Sequence, residues 1–117
     1  MKVRDLVGLL ELRVAAGATG LDRDIRGGYC GDLLSDVMAR APIGCVWMTV
    51  QGHVNTVAVA VLREMAAVVL TGGREPDEET LRKADAEAIP ILRSPLSAFD
   101  LAGRLHGLGV GPTPPQT

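Results

Sequence analysis

Three short apolar runs predict an α/β domain: a small, mostly parallel sheet with helices on both faces. The runs are Cys45-Val46-Trp47-Met48-Thr49, Ala67-Val68-Val69-Leu70-Thr71 and Pro90-Ile91-Leu92-Arg93-Ser94. Each stops at a hydroxyl residue, meets a helix-breaking or capping group and then turns helical. The hydroxyls Thr49, Thr71 and Ser94 stand 22 and 23 positions apart. That spacing holds one strand, one loop and one helix, so the pattern reads as successive β-α units. Right-handed crossovers carry all three hydroxyl ends to one edge of the sheet, the edge along which ligands bind in open α/β sheets.

The elements follow in order. Val3, Leu6, Val7, Leu9 and Leu10 make a helical stripe over residues 3–10. Leu12-Arg13-Val14 alternates and stops at Ala16-Gly17, a short strand, and residues 17–20 turn. Residues 23–30 form a second extended piece broken at Gly27-Gly28. These two pieces pair as a short antiparallel N-terminal ribbon. Residues 33–41 form a short helix capped by Asp32 and ended by Pro42 and Gly44. The strand at Cys45 comes next. Residues 54–65 alternate like a strand at Thr56-Val57-Ala58-Val59-Ala60-Val61. No turn separates them from the run at Ala67, however, so they read as a buried helix, apolar nearly all round and capped by Asn55.

After the Ala67 strand, Thr71-Gly72-Gly73 is a loop. Pro76 opens a helix whose Asp77, Glu78 and Glu79 favour the positive end of its dipole. Its apolar face, Leu81, Ala84 and Ala88, is narrow. The third strand covers residues 89–92. Ser94 caps the last helix, Pro95 opens it, and Leu96, Phe99, Leu101, Leu105 and Leu108 run along it to Gly107 and Gly109. Residues 1–110 make one domain, and residues 111–117, with three prolines, read as a disordered tail.

Composition narrows the functions. Twelve basic and 14 acidic residues leave a net charge of −2. With no basic run and no interleaved aromatics, nucleic acid is not an expected partner. No apolar stretch approaches the ~20 residues of a membrane span, and no leader pattern opens the chain, so the expected location is cytoplasmic. Cys30 and Cys45 have no C-x-x-C spacing and no zinc-completing partners, and read as reduced, buried thiols. Neither a metal nor a cofactor is expected.

Candidate site residues come from the three loops at the strand ends. Gln51, His53 and Asn55 follow the first strand. His53 suits an acid, a base or a ligand hydrogen bond, or simply a cap. Thr71-Gly72-Gly73-Arg74 is the sharpest local motif. Glycines ahead of a helix either aim N–H groups at an anion or allow a tight β-α turn. No Walker, dinucleotide or nucleophile-elbow pattern occurs. The expected ligand residues are therefore Thr49, Gln51, His53, Thr71, Gly72, Gly73, Arg74 and Ser94, with no catalytic residue among them.

Residues 27–38, 46–53, 67–73 and the segment from Ile89-Pro90-Ile91-Leu92 to Ser94-Pro95-Leu96-Ser97 resemble the DRTGG domain family. That family looks like the N-terminal domains of HPr kinase/phosphorylase and of Mur ligases. Thr71, Gly72 and Gly73 match the Thr-Gly-Gly of its signature, and Asp22-Arg23 is a candidate for the Asp-Arg part. The resemblance implies a small α/β fold and a regulatory or ligand-sensing role, here without a P-loop catalytic domain, a ligase ATPase domain or a flanking CBS pair. The expected function is a stand-alone, non-catalytic regulatory module binding a small polar or anionic ligand or a partner protein. The alternatives are a small enzyme using His53 with Asp36 or Arg74, and an assembly subunit. The apolar helix at residues 54–65 suggests a homodimer.

Overall fold

The computed structural model describes residues 1–111. In chain order it contains α1 (Val3–Leu10), β1 (Arg13–Ala16), a 3-10 turn (Ala18–Gly20), β2 (Gly27–Cys30), α2 (Leu34–Arg40), β3 (Cys45–Thr49), α3 (Val54–Leu62), β4 (Ala67–Leu70), α4 (Glu78–Glu87), β5 (Ile91–Arg93) and α5 (Ala98–Gly107). The five strands form one sheet in the order β1-β5-β4-β3-β2. Strands β2 to β5 are parallel, and β1 is antiparallel to β5.

The apolar runs are buried on both faces. Alternate residues split between two cores, as the strand period requires. Cys45, Trp47, Val68, Leu70 and Ile91 pack with Val37, Val57, Ala60 and Ala84 of α2, α3 and α4. Val46, Met48, Ala67, Val69 and Leu92 pack with Val3, Leu6, Leu101 and Leu105 of α1 and α5. Because β2, β3, β4 and β5 succeed one another in one direction, right-handed crossovers carry α2, α3 and α4 to a single face. Helix α5 follows β5 to the other face. The loops after β4 and β5 thus diverge at the C-terminal edge of the parallel strands, the edge along which ligands bind in open α/β sheets generally.

The predicted antiparallel ribbon between residues 12–14 and 23–30 does not form. The antiparallel element exists, but β1 takes β5 as its partner, while β2 lies at the opposite edge beside β3. The reason is edge cover. A free two-stranded ribbon buries little, whereas each piece docked separately covers one flank of the parallel sheet. Gly17 makes the β1 docking possible. Its φ is +73°, and a Cβ there would lie 1.9 Å from the Ile89 carbonyl oxygen.

Several local readings also change. Helix α3 ends at Leu62 rather than residue 65, leaving Val61 and Leu62 exposed, and His53 rather than Asn55 is its cap. Helix α5 is capped by Ser97, whose Oγ accepts from Asp100 N, while Ser94 Oγ accepts from Leu96 N in the turn before it. Phe99 is 88% exposed and does not share the buried face of Leu101 and Leu105. Cys45 is buried but Cys30 is exposed. The tail expected from residue 111 lies outside the described residues except for Gly111, whose carbonyl accepts from Gly28 N on the outer side of β2. No helix among the described residues is long and apolar enough to cross a membrane.

Candidate functional site

The loops after β2, β3, β4 and β5 share one edge of the sheet and are cross-linked by hydrogen bonds. At the β2–β3 end the organiser is Asp32, a helix cap by its place in the sequence but not in the structure. Residue Leu33 is the N-cap of α2 and makes no side-chain cap bond. Instead Asp32 Oδ1 accepts from the Thr49 hydroxyl at 2.9 Å and from Val50 N at 2.9 Å. Thr49 Oγ1 in turn accepts from Gln51 N, and Gln51 Nε2 donates to the Asp32 carbonyl. The Thr56 hydroxyl donates to the Gln51 carbonyl. Beneath them the Trp47 indole N–H donates to the Gly31 carbonyl at 2.8 Å. His53 Nδ1 accepts from Asn55 N at 3.2 Å, the bond that caps α3.

Gly52 joins this end to the next loop. Its carbonyl accepts from Asp77 N and from the Thr80 hydroxyl. Thr71 N donates to the Thr49 carbonyl, extending the ladder past β4.

At the β4–β5 end the Thr-Gly-Gly segment is bonded across to the loop that leads into α5. Gly72 N donates to the Leu96 carbonyl at 2.8 Å and Gly73 N to the Ser94 carbonyl at 2.9 Å. Both glycines have positive φ, +66° and +72°, and both face open space. Glycine is required there by backbone conformation rather than by crowding. The two amides are already bonded within the fold, so neither is free for an anion. Two arginines stand beside them. Arg93 donates from Nε to the Arg74 carbonyl at 2.9 Å and from one terminal nitrogen to the Gly73 carbonyl at 3.3 Å. Arg13 stands directly opposite Arg93 in the β1–β5 register. A cavity of about 310 Å³ lies here, lined by Glu11, Arg13, Gly73, Arg93, Ser94 and Pro95.

Of the eight expected ligand residues, Gly73 and Ser94 line that cavity. Thr71 and Ser94 are buried, and Gly72 and Arg74 are exposed beside it. Thr49 and Gln51 belong to the Asp32 network, and His53 caps its helix. The enzymatic alternative paired His53 with Asp36 or Arg74. Here the Asp36 carboxylate accepts from the Tyr29 hydroxyl at 2.8 Å and from Arg40 Nε at 2.9 Å. Burial, followed by the bond to Asp36, holds the Tyr29 hydroxyl above its ordinary pKa. Burial pushes the Cys45 thiol up to about 11. No group of three His, Cys, Asp or Glu with metal-holding geometry occurs among the described residues. The sequence reading missed Asp32 as a cross-link, and Arg13 and Arg93 altogether. The one local signal was a charged residue, Arg93, interrupting the apolar run that ends at Ser94.

A three-layer α/β domain with a hydrogen-bonded strand-end ledge and a basic cavity at one end of it is thus the class of protein defined here. The DRTGG domain profile matches residues 38–108, more than half of the chain, and the chain belongs to that family. The match takes in β3 to α5 and the Thr71-Gly72-Gly73 segment. Asp22 and Arg23 fall outside it; Asp22 pairs with Arg4 at 3.0 Å, and Arg23 donates to the Ala88 carbonyl. A comparison with curated proteins gave no match.

Proposed function

We propose that this domain is a non-catalytic regulatory module that binds a small polar or anionic ligand at the strand-end edge, centred where the loops after β4 and β5 diverge. The observation that carries this reading is the cavity of about 310 Å³ lined by Gly73, Ser94 and two arginines at that divergence. Ligand clefts start near this size, with a few convergent polar groups among their lining. Arg74 and Gly72 flank the cavity, and Thr49, Gln51 and His53 brace the loops beside it. Two exposed apolar side chains at the end of α3, Val61 and Leu62, support a homodimer that would cover them.

A thermal-shift screen of phosphorylated and carboxylated metabolites tests the reading, because a ligand that binds only the folded chain raises stability by about 2.7 kcal/mol at one hundred times its Kd. A saturable rise in Tm is expected from at least one compound. No rise across the set overturns the ligand reading. Light scattering on the same sample at micromolar concentration reads the assembly, and a monomer mass removes the dimer alone.

A further inference from the structure

We infer that the cavity beside the β1–β5 pair is an oxyanion site, with Arg13 and Arg93 as its cationic wall and a phosphate or carboxylate group of a small metabolite as its occupant. The inference rests on the strand-end reading above and deepens it by naming the anchor and the ligand class.

The register supplies the first argument. Arg13 and Arg93 are direct cross-strand partners in an antiparallel pair, so their side chains leave the same face of the sheet. Like charges in that relation destabilise a sheet unless a counter-charge offsets them. Acidic residues outnumber basic ones in this chain, 14 to 12, so a paired cation is not forced by composition.

The surroundings of each guanidinium supply the second. Arg93 is 22% exposed and is fixed by two main-chain carbonyls, Gly73 and Arg74. Carbonyls orient a guanidinium without cancelling its charge. The nearest carboxylate, on Glu75, is 3.8 Å away and 83% exposed. Arg13 has no carboxylate within salt-bridge distance among the described residues. Protection of a sheet edge by charge accounts for Arg13, which lies on the edge strand. It does not account for Arg93, which lies on an internal strand.

A third argument comes from Ser94. It is 2% exposed and lines the same cavity. Its Oγ accepts from Leu96 N, and its hydroxyl proton has no acceptor among the described residues. Because Ser94 lines the cavity, an oxyanion held there has this hydroxyl among its walls besides the guanidinium N–H groups. Planar guanidiniums suit this task because they match carboxylate and phosphate oxygens two at a time. Glu11, also in the lining, disfavours a second anionic group and offers an acceptor to a hydroxyl or ammonium elsewhere on the ligand.

The test is an amide NMR titration of the full chain with sodium phosphate and, separately, sodium malonate, at ionic strength held constant with sodium chloride. Saturable shifts are expected at Arg13, Gly73 and Ser94. Arg13→Gln, a change at an exposed edge position, should weaken them about tenfold, the loss of one charge-assisted contact. Arg104→Gln, the same charge change on α5, should leave them intact. Stronger binding of phosphate identifies a phosphorylated ligand, and stronger binding of malonate a carboxylated one. Shifts that follow ionic strength alone, or that survive in Arg13→Gln, overturn the inference. A screened metabolite that stabilises Arg13→Gln as much as the parent chain overturns it too, while leaving the strand-end reading standing.

Discussion

The two ends of the strand-end edge are built from similar polar residues but resolve their polarity differently. At the β2–β3 end, Asp32, Thr49, Gln51 and Thr56 bond one another and the main chain, and the Asp32 carboxylate takes both a hydroxyl and an amide proton. At the β4–β5 end the main chain is bonded just as fully, through Gly72 N and Gly73 N. There, however, Arg13 stands opposite Arg93 in the register, and no carboxylate lies within salt-bridge distance of Arg13 among the described residues. A polar group whose partners lie within the fold is a brace. A charge left without one is free to meet something from outside. Hydroxyl residues alone therefore do not mark a site at a strand end.

The largest effect should come from breaking the brace. Asp32→Ala leaves the Thr49 hydroxyl, 1% exposed, without its acceptor and Val50 N without its partner. A buried group left unsatisfied costs about 1–3 kcal/mol, so urea unfolding followed by circular dichroism should show a loss of that order. Asp32→Asn keeps an acceptor oxygen and should lose less. If Asp32→Ala unfolds at the same urea concentration as the parent chain, the β2–β3 end is not braced by this network, and the contrast between the ends fails.

A smaller effect separates conformation from contact at the other end. Gly72 has φ +66° and nothing within 4 Å of a built Cβ. Gly72→Ala should therefore cost only about 1 kcal/mol, the strain of placing an L-residue in the left-handed region. A much larger loss would mean that the Thr-Gly-Gly bonds to Leu96 and Ser94 hold the β4–β5 end as tightly as Asp32 holds the other.

These differences track what a sequence can express. Strands β3, β4 and β5 were legible because each is a short apolar run bounded by turn chemistry, and their spacing gave the crossovers and the common edge. The partner of β1 was not legible. Edge pairing is decided by which flank of the finished sheet needs cover, and Val14 finds Leu92 across 78 positions. Caps were misplaced by two or three residues, Asn55 for His53 and Ser94 for Ser97, because several capping residues stand close together. Asp32 fitted a local rule, the helix cap, and obeyed a longer-range one, reaching Thr49 across 17 positions. The arginine pair was invisible for the same reason as the β1–β5 pairing, since the two residues come opposite each other only once that pairing exists.

The smallest effect bears most directly on the contrast. If Arg13 were part of a brace, removing it would weaken the fold. If it is an uncompensated charge beside Arg93, removing it relieves repulsion. Arg13→Gln should then leave stability unchanged or raise it by a few tenths of a kcal/mol, the scale of an unfavourable cross-strand pair. The size of the effect depends on salt in a definite way. Added sodium chloride screens the two guanidiniums, so the parent chain should gain more from salt than the variant does. The difference between them should be largest near 20 mM salt and shrink towards 0.5 M, where the screening length falls to a few ångströms. Urea midpoints at the two salt concentrations check this. A loss of about 1 kcal/mol or more on Arg13→Gln, unaffected by salt, would mean that the arginine stem packs on the β1–β5 pair. Both ends of the edge would then be braces, differing only in the residues that make them.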